Sequence, residues 1–335
     1  MLIIDKGEPG REASWAAGGM LADFPLEMPP ALRDLAAASA RMYPEFIHEL
    51  EDESRTKIDL RDQGTLLFGD PEKLGSLDST SHPSLGDSSL PPQSLHELEP
   101  ALFPVKLAGM TSLFLKERSV DPRHVTAAAI VAAKHRGIDF SSGDQVLAVE
   151  VVDGKAAGVR TNKTRFAAGV VVNCAGAWSG QIDPPNLPTR PVKGQMLCVV
   201  MPQKEMVRHV IRTPDVYLIP RTDGRMLIGA TQEEAGFDKE IVPPTIQKLR
   251  QSALDIIPKL TDARILEAWA GLRPGTPDAL PILGATHMPG YFVATGHFRD
   301  GILLAPVTAR VMGQVVAGER PDFTLTAFAA GRFRD

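Results

Sequence analysis

The sequence predicts an α/β fold in two domains: a parallel-sheet domain built from separated stretches, with an antiparallel-sheet domain inserted into it. Three observations predict it. The chain has 335 residues, beyond the ~250–300 at which one hydrophobic core stops growing. Strand–helix–strand patterns stand near both ends. Between them lie short apolar segments separated by turn residues. The boundaries expected from this pattern give residues 1–30, 119–182 and 265–335 to the parallel-sheet domain. Residues 31–118 and 183–264 fall to the inserted one.

Each element has its own local reason. Leu2–Asp5 is an apolar run ending in an acid and reads as a strand. Glu8–Leu21 is rich in Gly and Ala and reads as a loop running into a short helix. Ala31–Leu50 has apolar residues at helical spacing. Gly64–Phe68 is a strand. Gly75–Gln93, rich in Ser, Pro and Asp, reads as an exposed loop around a weak helix. Ser94 with Glu97 makes a capping-box pattern. Ala108–Leu115 is strand-like, and Ser119–Arg123 turns into the alanine-rich helix His124–Arg136. Gly137–Phe140 and Val146–Val152 are strands, the second turning at Asp153-Gly154 into a β-hairpin. Phe166–Asn173 has the near-continuous apolar character of a buried strand. Gln195–Val200, Val216–Pro220 and Met226–Ala230 are further strands, and Thr245–Ile257 is a helix. Leu266–Leu272 is a strand leading into a turn at Arg273–Thr276. Tyr291–Thr295 is the last strand, and Gly301–Ala317 the closing helix.

Bulk composition excludes several classes. A formal charge of -5, from 36 basic and 41 acidic residues, gives no nucleic-acid surface. No apolar run approaches the ~18 residues of a membrane span, and the N-terminus has no signal-peptide pattern. Cys174 and Cys198 make neither a disulfide framework nor a metal cluster, which suits a cytoplasmic location. Both lie in apolar runs and are expected to be small buried hydrophobes. No metal ligand set is expected.

Four local patterns carry chemistry. Asp5-Lys6-Gly7 ends a strand as the second strand of a dinucleotide-binding unit does, where the acid takes ribose hydroxyls. Behind it, Ala13, Ser14, Ala16, Ala17, Gly18 and Gly19 suit either a close backbone approach to a ligand or simple flexibility. Val170–Gly180 ends a strand in Ala-Gly, where open α/β sheets bind ligands, although a tight turn needs the same residues. Arg273 is either a fixed guanidinium that holds a carboxylate or an exposed turn arginine. Tyr291–Pro306 runs from a strand through Gly296-His297 to a helix start suited to an anionic ligand edge. His297 and Arg299 also fit as ordinary turn residues there.

Together the motifs resemble the D-amino-acid-oxidase-like family of FAD-dependent oxidoreductases, and within it the glycine-oxidase branch of thiamine biosynthesis. The resemblance covers nearly the whole chain. It rests on D-K-G followed by S-x-A-A-x-G-M-L, S-V-D-P-R at Ser119, N-C-A-G-A-W-S at Asn173 and P-V-K-G-Q at Pro191. Y-L-I-P-R at Tyr217, A-G-L-R-P-G-T-P-D at Ala270 and G-H-F-R-D-G-I-L-L-A-P at Gly296 complete it.

The resemblance implies a Rossmann-like FAD-binding domain facing an antiparallel substrate domain, with FAD held non-covalently. Asp5 takes the place of the acid on the adenosine ribose. Ser14, Ala16, Ala17, Gly18 and Met20 match the loop along the pyrophosphate and flavin, and Val146 a residue whose backbone meets the adenine. Ala175, Gly176 and Trp178 match the turn beside the cofactor. Arg299, Asp300, Gly301, Ile302 and Leu303 match the segment at the flavin pyrimidine. Arg273 matches the arginine of the substrate carboxylate and Tyr217 the tyrosine assisting it; with Arg299 they are the expected catalytic set.

The implied reaction is oxidative deamination of glycine or a small D- or N-methyl amino acid, with O2 as electron acceptor. A sarcosine oxidase or a D-amino-acid dehydrogenase shares the fold, and a cofactor-free remnant is the reading outside the enzymes. Family members are often homo-oligomers. Two departures accompany the resemblance. Asp215 and Val216 stand before Tyr217 where a neutral group is expected. The first strand, Gly-rich turn and first helix of the cofactor unit are expected to be missing ahead of Met1, which leaves a gap in the parallel sheet.

Overall fold

The computed structural model describes residues 1–23, 28–74, 92–184 and 187–333. Its largest sheet has seven strands, in the order Arg264–Gly275, Arg190–Val200, Arg225–Gly229, Tyr217–Pro220, Val210–Arg212, Thr65–Gly69 and Thr111–Leu115. Neighbours are antiparallel except Val210–Arg212 with Thr65–Gly69, where the two halves of the chain meet.

Side chains alternate between the two faces of this sheet. Leu197, Val199, Leu218 and Ile228 pack beneath Leu249, Ala253 and Ile256 of helix Pro243–Ile256. Met196, Cys198, Ile219, Leu227 and Trp269 line the opposite face, against Trp15, Ala16 and Met20. The candidate site stands on that second face.

The parallel layer is in two pieces. Leu2–Asp5 pairs parallel with Asp139–Ser142. Val171–Asn173 pairs parallel with Tyr291–Thr295, which pairs antiparallel with Ile282–Ala285. Helices Arg33–Ser54, Pro122–His135 and Ala305–Val316 share a core of Leu35, Tyr43, Val125, Ala128, Val307 and Val311. Asp121 starts the second of them by accepting the Arg123 N–H at 2.9 Å, with Pro122 at the first helical position. The Asp153-Gly154 hairpin forms as expected, both residues at positive φ. Among the described residues no helix is long and apolar enough to cross a membrane.

Four expectations need correction. Phe166–Asn173 is two short strands, Arg165–Ala167 on the hairpin and Val171–Asn173 in the parallel layer. Val170 and Val172 are 49% and 40% exposed, because side chains alternate along this strand and theirs share its open face, opposite the half-buried Val171 and buried Asn173. Cys174, just beyond that strand, is exposed for the same reason, whereas Cys198 is buried in the large sheet. Ser94 caps no helix: the helix runs Pro92–Leu98, opened by a proline whose fixed φ suits the first turn. Arg273 does not lie in a turn. Strand Arg264–Gly275 continues through it, paired with Arg190–Val200, and an edge strand tolerates Pro274. Most of the expected Gly75–Gln93 loop lies outside the described residues.

Candidate active site

Arg273 stands opposite Val192 in the sheet, and its guanidinium lies flat over Gly194. A Cβ placed on Gly194 would be 2.3 Å from Nη1, 2.5 Å from Nη2 and 2.6 Å from Cζ. Nη1 donates to the carbonyls of Thr231 at 3.0 Å and Lys193 at 3.4 Å. One side of the guanidinium is thereby fixed, and the group also acts on the Tyr217 phenol.

Tyr217 sits opposite Gly229 in the register. Its ring edge crosses that glycine, whose missing Cβ would meet Cε2 at 2.6 Å and the hydroxyl oxygen at 2.8 Å. Burial pushes the Tyr217 phenol pKa up, while Arg273, which hydrogen-bonds to it, and Arg299 pull against the rise. The structure thus brings together Arg273, Tyr217 and Arg299. The Tyr217 hydroxyl also reaches Met196 Sδ at 3.7 Å.

The Gly/Ala loop crosses the same face. A single helical turn, Ala13–Ala16, is followed by Ala17–Gly19 and the short strand Met20–Leu21. Three carbonyls of this loop are held in place. Trp269 Nε1 donates to Ala16 at 3.0 Å, Arg221 Nη2 to Gly18 at 2.6 Å, and the Val120 N–H to Gly19 at 2.8 Å. Gly271 has no Cβ where the Ala16 methyl lies, 2.4 Å from the position a Cβ would take. Met20 pairs with Ser119.

Beneath the loop is a cluster of charges. Burial works against ionisation of Asp121, yet Arg221, His124 and Arg225 together hold its carboxyl below the usual range. Burial lowers the Arg221 pKa to about 10.

Asp5 and Val146 form a second group. One Asp5 carboxylate oxygen accepts the Gly7 N–H at 2.8 Å. The Asp5 carbonyl accepts the Asp144 N–H at 2.9 Å, bringing the start of strand Val146–Val152 alongside. Val146 and Ala175 border one apolar cluster. Gly176 adopts φ +57° with open space at its Cα, and its carbonyl accepts the Thr295 hydroxyl. Trp178 carries the Lys6 ammonium 3.1 Å from its ring centre and packs beside Phe237 at 5.3 Å. Ser14 is exposed on the one-turn helix.

The third group enters the last helix. The amides of Gly301, Ile302 and Leu303 have no acceptor among the described residues. Helix Ala305–Val316 starts four residues later than expected, at Ala305 instead of Gly301, which leaves these N–H groups in its approach turn. Leu303's side chain is core, and the Ile302 carbonyl accepts the Tyr43 hydroxyl. Asp300 accepts the Leu304 N–H through its carbonyl. His297 lies 3.0 Å from Thr308 Oγ1, and burial lowers its pKa to about 4. Asp215 is exposed in the turn closed by Thr213 and Val216.

Sequence reasoning missed Gly194, Gly229, Trp269 and Arg221. The available signal was glycine inside a strand, which marks close approach of another group. Arg221 closes the Y-L-I-P-R motif, but its partner Gly18 is 203 residues away in sequence.

The fold and this sheet-face site define a flavin-dependent oxidoreductase. Residues 1–315 match the DAO family model of FAD-dependent oxidoreductases, and the chain belongs to that family. It is 33% identical over 328 residues to the bifunctional protein ThiO/ThiG of Trichormus variabilis, covering 96% of this chain and 50% of that protein. The chain therefore spans half the length of that relative. It is 30% identical over 343 residues to the glycine oxidase of Pseudomonas aeruginosa, covering 98% of this chain and 92% of the relative. Among solved structures it resembles glycine oxidase from Geobacillus kaustophilus, with a TM-score of 0.91 and 27% identity over 100% of this chain and 92% of that one.

Proposed function

We propose that the protein is a glycine-oxidase-like enzyme that oxidatively deaminates glycine or a small D- or N-methyl amino acid. The observation that carries this reading is the Arg273–Tyr217 pair on the sheet face that the Ala16–Gly19 loop crosses.

The donor set fits FAD. Asp5 keeps a carboxylate oxygen for the ribose hydroxyls, with Val146 beside it for the adenine. Ala16, Ala17, Gly18 and Met20 offer a small-residue surface to a flat ring, with Ser14, Ala175, Gly176 and Trp178 along the cofactor's length. The amides of Gly301, Ile302 and Leu303, without an acceptor among the described residues, suit an edge that carries negative charge. Arg299 and Asp300 flank them.

When bound, FAD would supply a two-electron acceptor for the substrate Cα–H, with O2 taking the electrons to give peroxide and water releasing a 2-oxo acid and ammonia, or methylamine from an N-methyl substrate. The chain's own part is positioning. Arg273 would grip the substrate carboxylate with donors other than Nη1, its guanidinium already oriented by Thr231 and Lys193. Tyr217, kept neutral by its raised pKa, would donate a further hydrogen bond. Holding the reacting carbon in place supplies most of the acceleration without a dedicated base.

The experiment is an FAD titration of purified protein followed by peroxide and glyoxylate assays with glycine. A stoichiometric yellow complex that releases both products is expected. Failure to take up FAD at saturation overturns the reading, as does a loaded protein that makes no peroxide from glycine, sarcosine or D-alanine.

A further inference from the structure

Gly194, Gly229 and Gly271 lie on one face of the large sheet. Gly194 stands opposite Gly271, and Gly229 opposite Met196, two residues along the same strand as Gly194. Glycine weakens a strand interior unless another group must approach the backbone. Here each glycine has such a group over it: the Arg273 guanidinium, the Tyr217 phenol and the Ala16 methyl respectively.

We infer that Gly194 and Gly229 are positioning residues that set the depth of the substrate grip, while Gly271 serves the cofactor loop. The inference rests on the reading of Arg273 as the carboxylate ligand. A methyl at position 194 would sit 2.3 Å from Nη1, where ordinary contact begins at 3.4 Å. The guanidinium must therefore rise by about 1 Å away from the sheet. Rising draws Nη1 off the Lys193 and Thr231 carbonyls and moves the fork into the space a substrate needs. At position 229 the same argument lifts the Tyr217 hydroxyl, 2.8 Å from the added carbon. In both cases the colliding atoms are the far ends of long side chains, so the side chain yields before the strand does. These glycines thus control the height of the floor, and with it which carboxylates fit.

The test uses FAD-loaded protein and acetate, a carboxylate without an amine, followed through the flavin absorbance. Gly194→Ala and Gly229→Ala should each weaken acetate binding at least tenfold and raise KM for glycine by a similar factor. kcat should fall less, with flavin content and circular dichroism unchanged. In an Arg273→Ala background, Gly194→Ala should have no further effect on acetate. Gly271→Ala should instead loosen FAD and leave the acetate affinity of the loaded fraction alone.

If Arg273→Ala itself leaves acetate binding unchanged, the carboxylate reading fails and this inference with it. If Arg273→Ala weakens acetate but neither glycine variant does, the floor role alone is overturned. Full additivity of Gly194→Ala with Arg273→Ala overturns it too. The two glycines are independent sites, so an unfolded variant at one leaves the other to decide.

Discussion

Arg221 donates through Nη2 to the carbonyl oxygen of Gly18 at 2.6 Å, from a side chain in a residue only 1% exposed. Its Nε and Nη1 are buried without partners among the described residues. Burial lowers its pKa, while Asp121 and Asp59 favour the charged form. A desolvated cation with one hydrogen bond, made to the loop at the candidate flavin surface, is costly unless that loop's position matters.

Arg221→Met should therefore affect both stability and flavin affinity. Removing one member of a buried charge cluster costs about 3–5 kcal/mol. Arg225 still holds Asp121 at 2.9 Å, which places the expected loss at the low end of that range. FAD should bind at least tenfold more weakly. Arg221→Lys should recover stability better than affinity, because an ammonium lacks the planar fork. Urea unfolding and quenching of flavin fluorescence read the two effects separately. Unchanged FAD affinity in the methionine variant would detach the Gly18 clamp from the cofactor.

The neighbouring clamp gives a cleaner substitution. Trp269→Phe keeps an aromatic ring against Trp15, whose centroid is 6.1 Å away, but deletes the donor to the Ala16 carbonyl. The loss of one hydrogen bond is about 1 kcal/mol, so FAD affinity should fall several-fold with little change in the thermal midpoint. Equal affinity for FAD in the two proteins would show that the Ala16 carbonyl needs no holding.

The limits of sequence reading follow from distance along the chain. Period-two alternation and turn residues are local, so strands such as Tyr291–Thr295 and the Asp153-Gly154 hairpin were legible. The role of Arg273 was suggested by its motif, but its place in a strand was not. That place depends on pairing with Arg190–Val200, about 80 residues away. Cys174 lies in an apolar run, but its exposure is decided by what covers the face it shares with Val170 and Val172. Gly194 and Gly229 looked like weak points in strands, since what lies over a glycine is a tertiary fact.

Tyr217→Phe isolates the hydroxyl. The ring still covers Gly229, so the fold should be retained. One hydrogen bond to a charged partner contributes roughly 1.5–3 kcal/mol. KM for glycine should accordingly rise by about 10-fold or more, a factor of ten being ~1.4 kcal/mol. Acetate binding should weaken in parallel. Steady-state kinetics with a KM equal to that of the unmodified protein would remove the phenol from substrate binding.

His297 predicts a pH dependence of stability whose sign can be worked out. Its folded pKa is lowered by burial from 6.5 to about 4. Between those values the unfolded chain binds the proton and the folded chain does not, so stability rises with pH across this window. The His297 contribution is fully present above pH 6.5 and is lost as pH falls towards 4, by at most ~3 kcal/mol. His297→Asn removes the titrating ring and puts an amide near Thr308 Oγ1. Urea unfolding at several pH values should give a shallower slope for the variant between pH 4 and 6.5, with the two proteins parallel above pH 7. Identical slopes throughout would mean that His297 takes up its proton as readily in the folded protein as in the unfolded one.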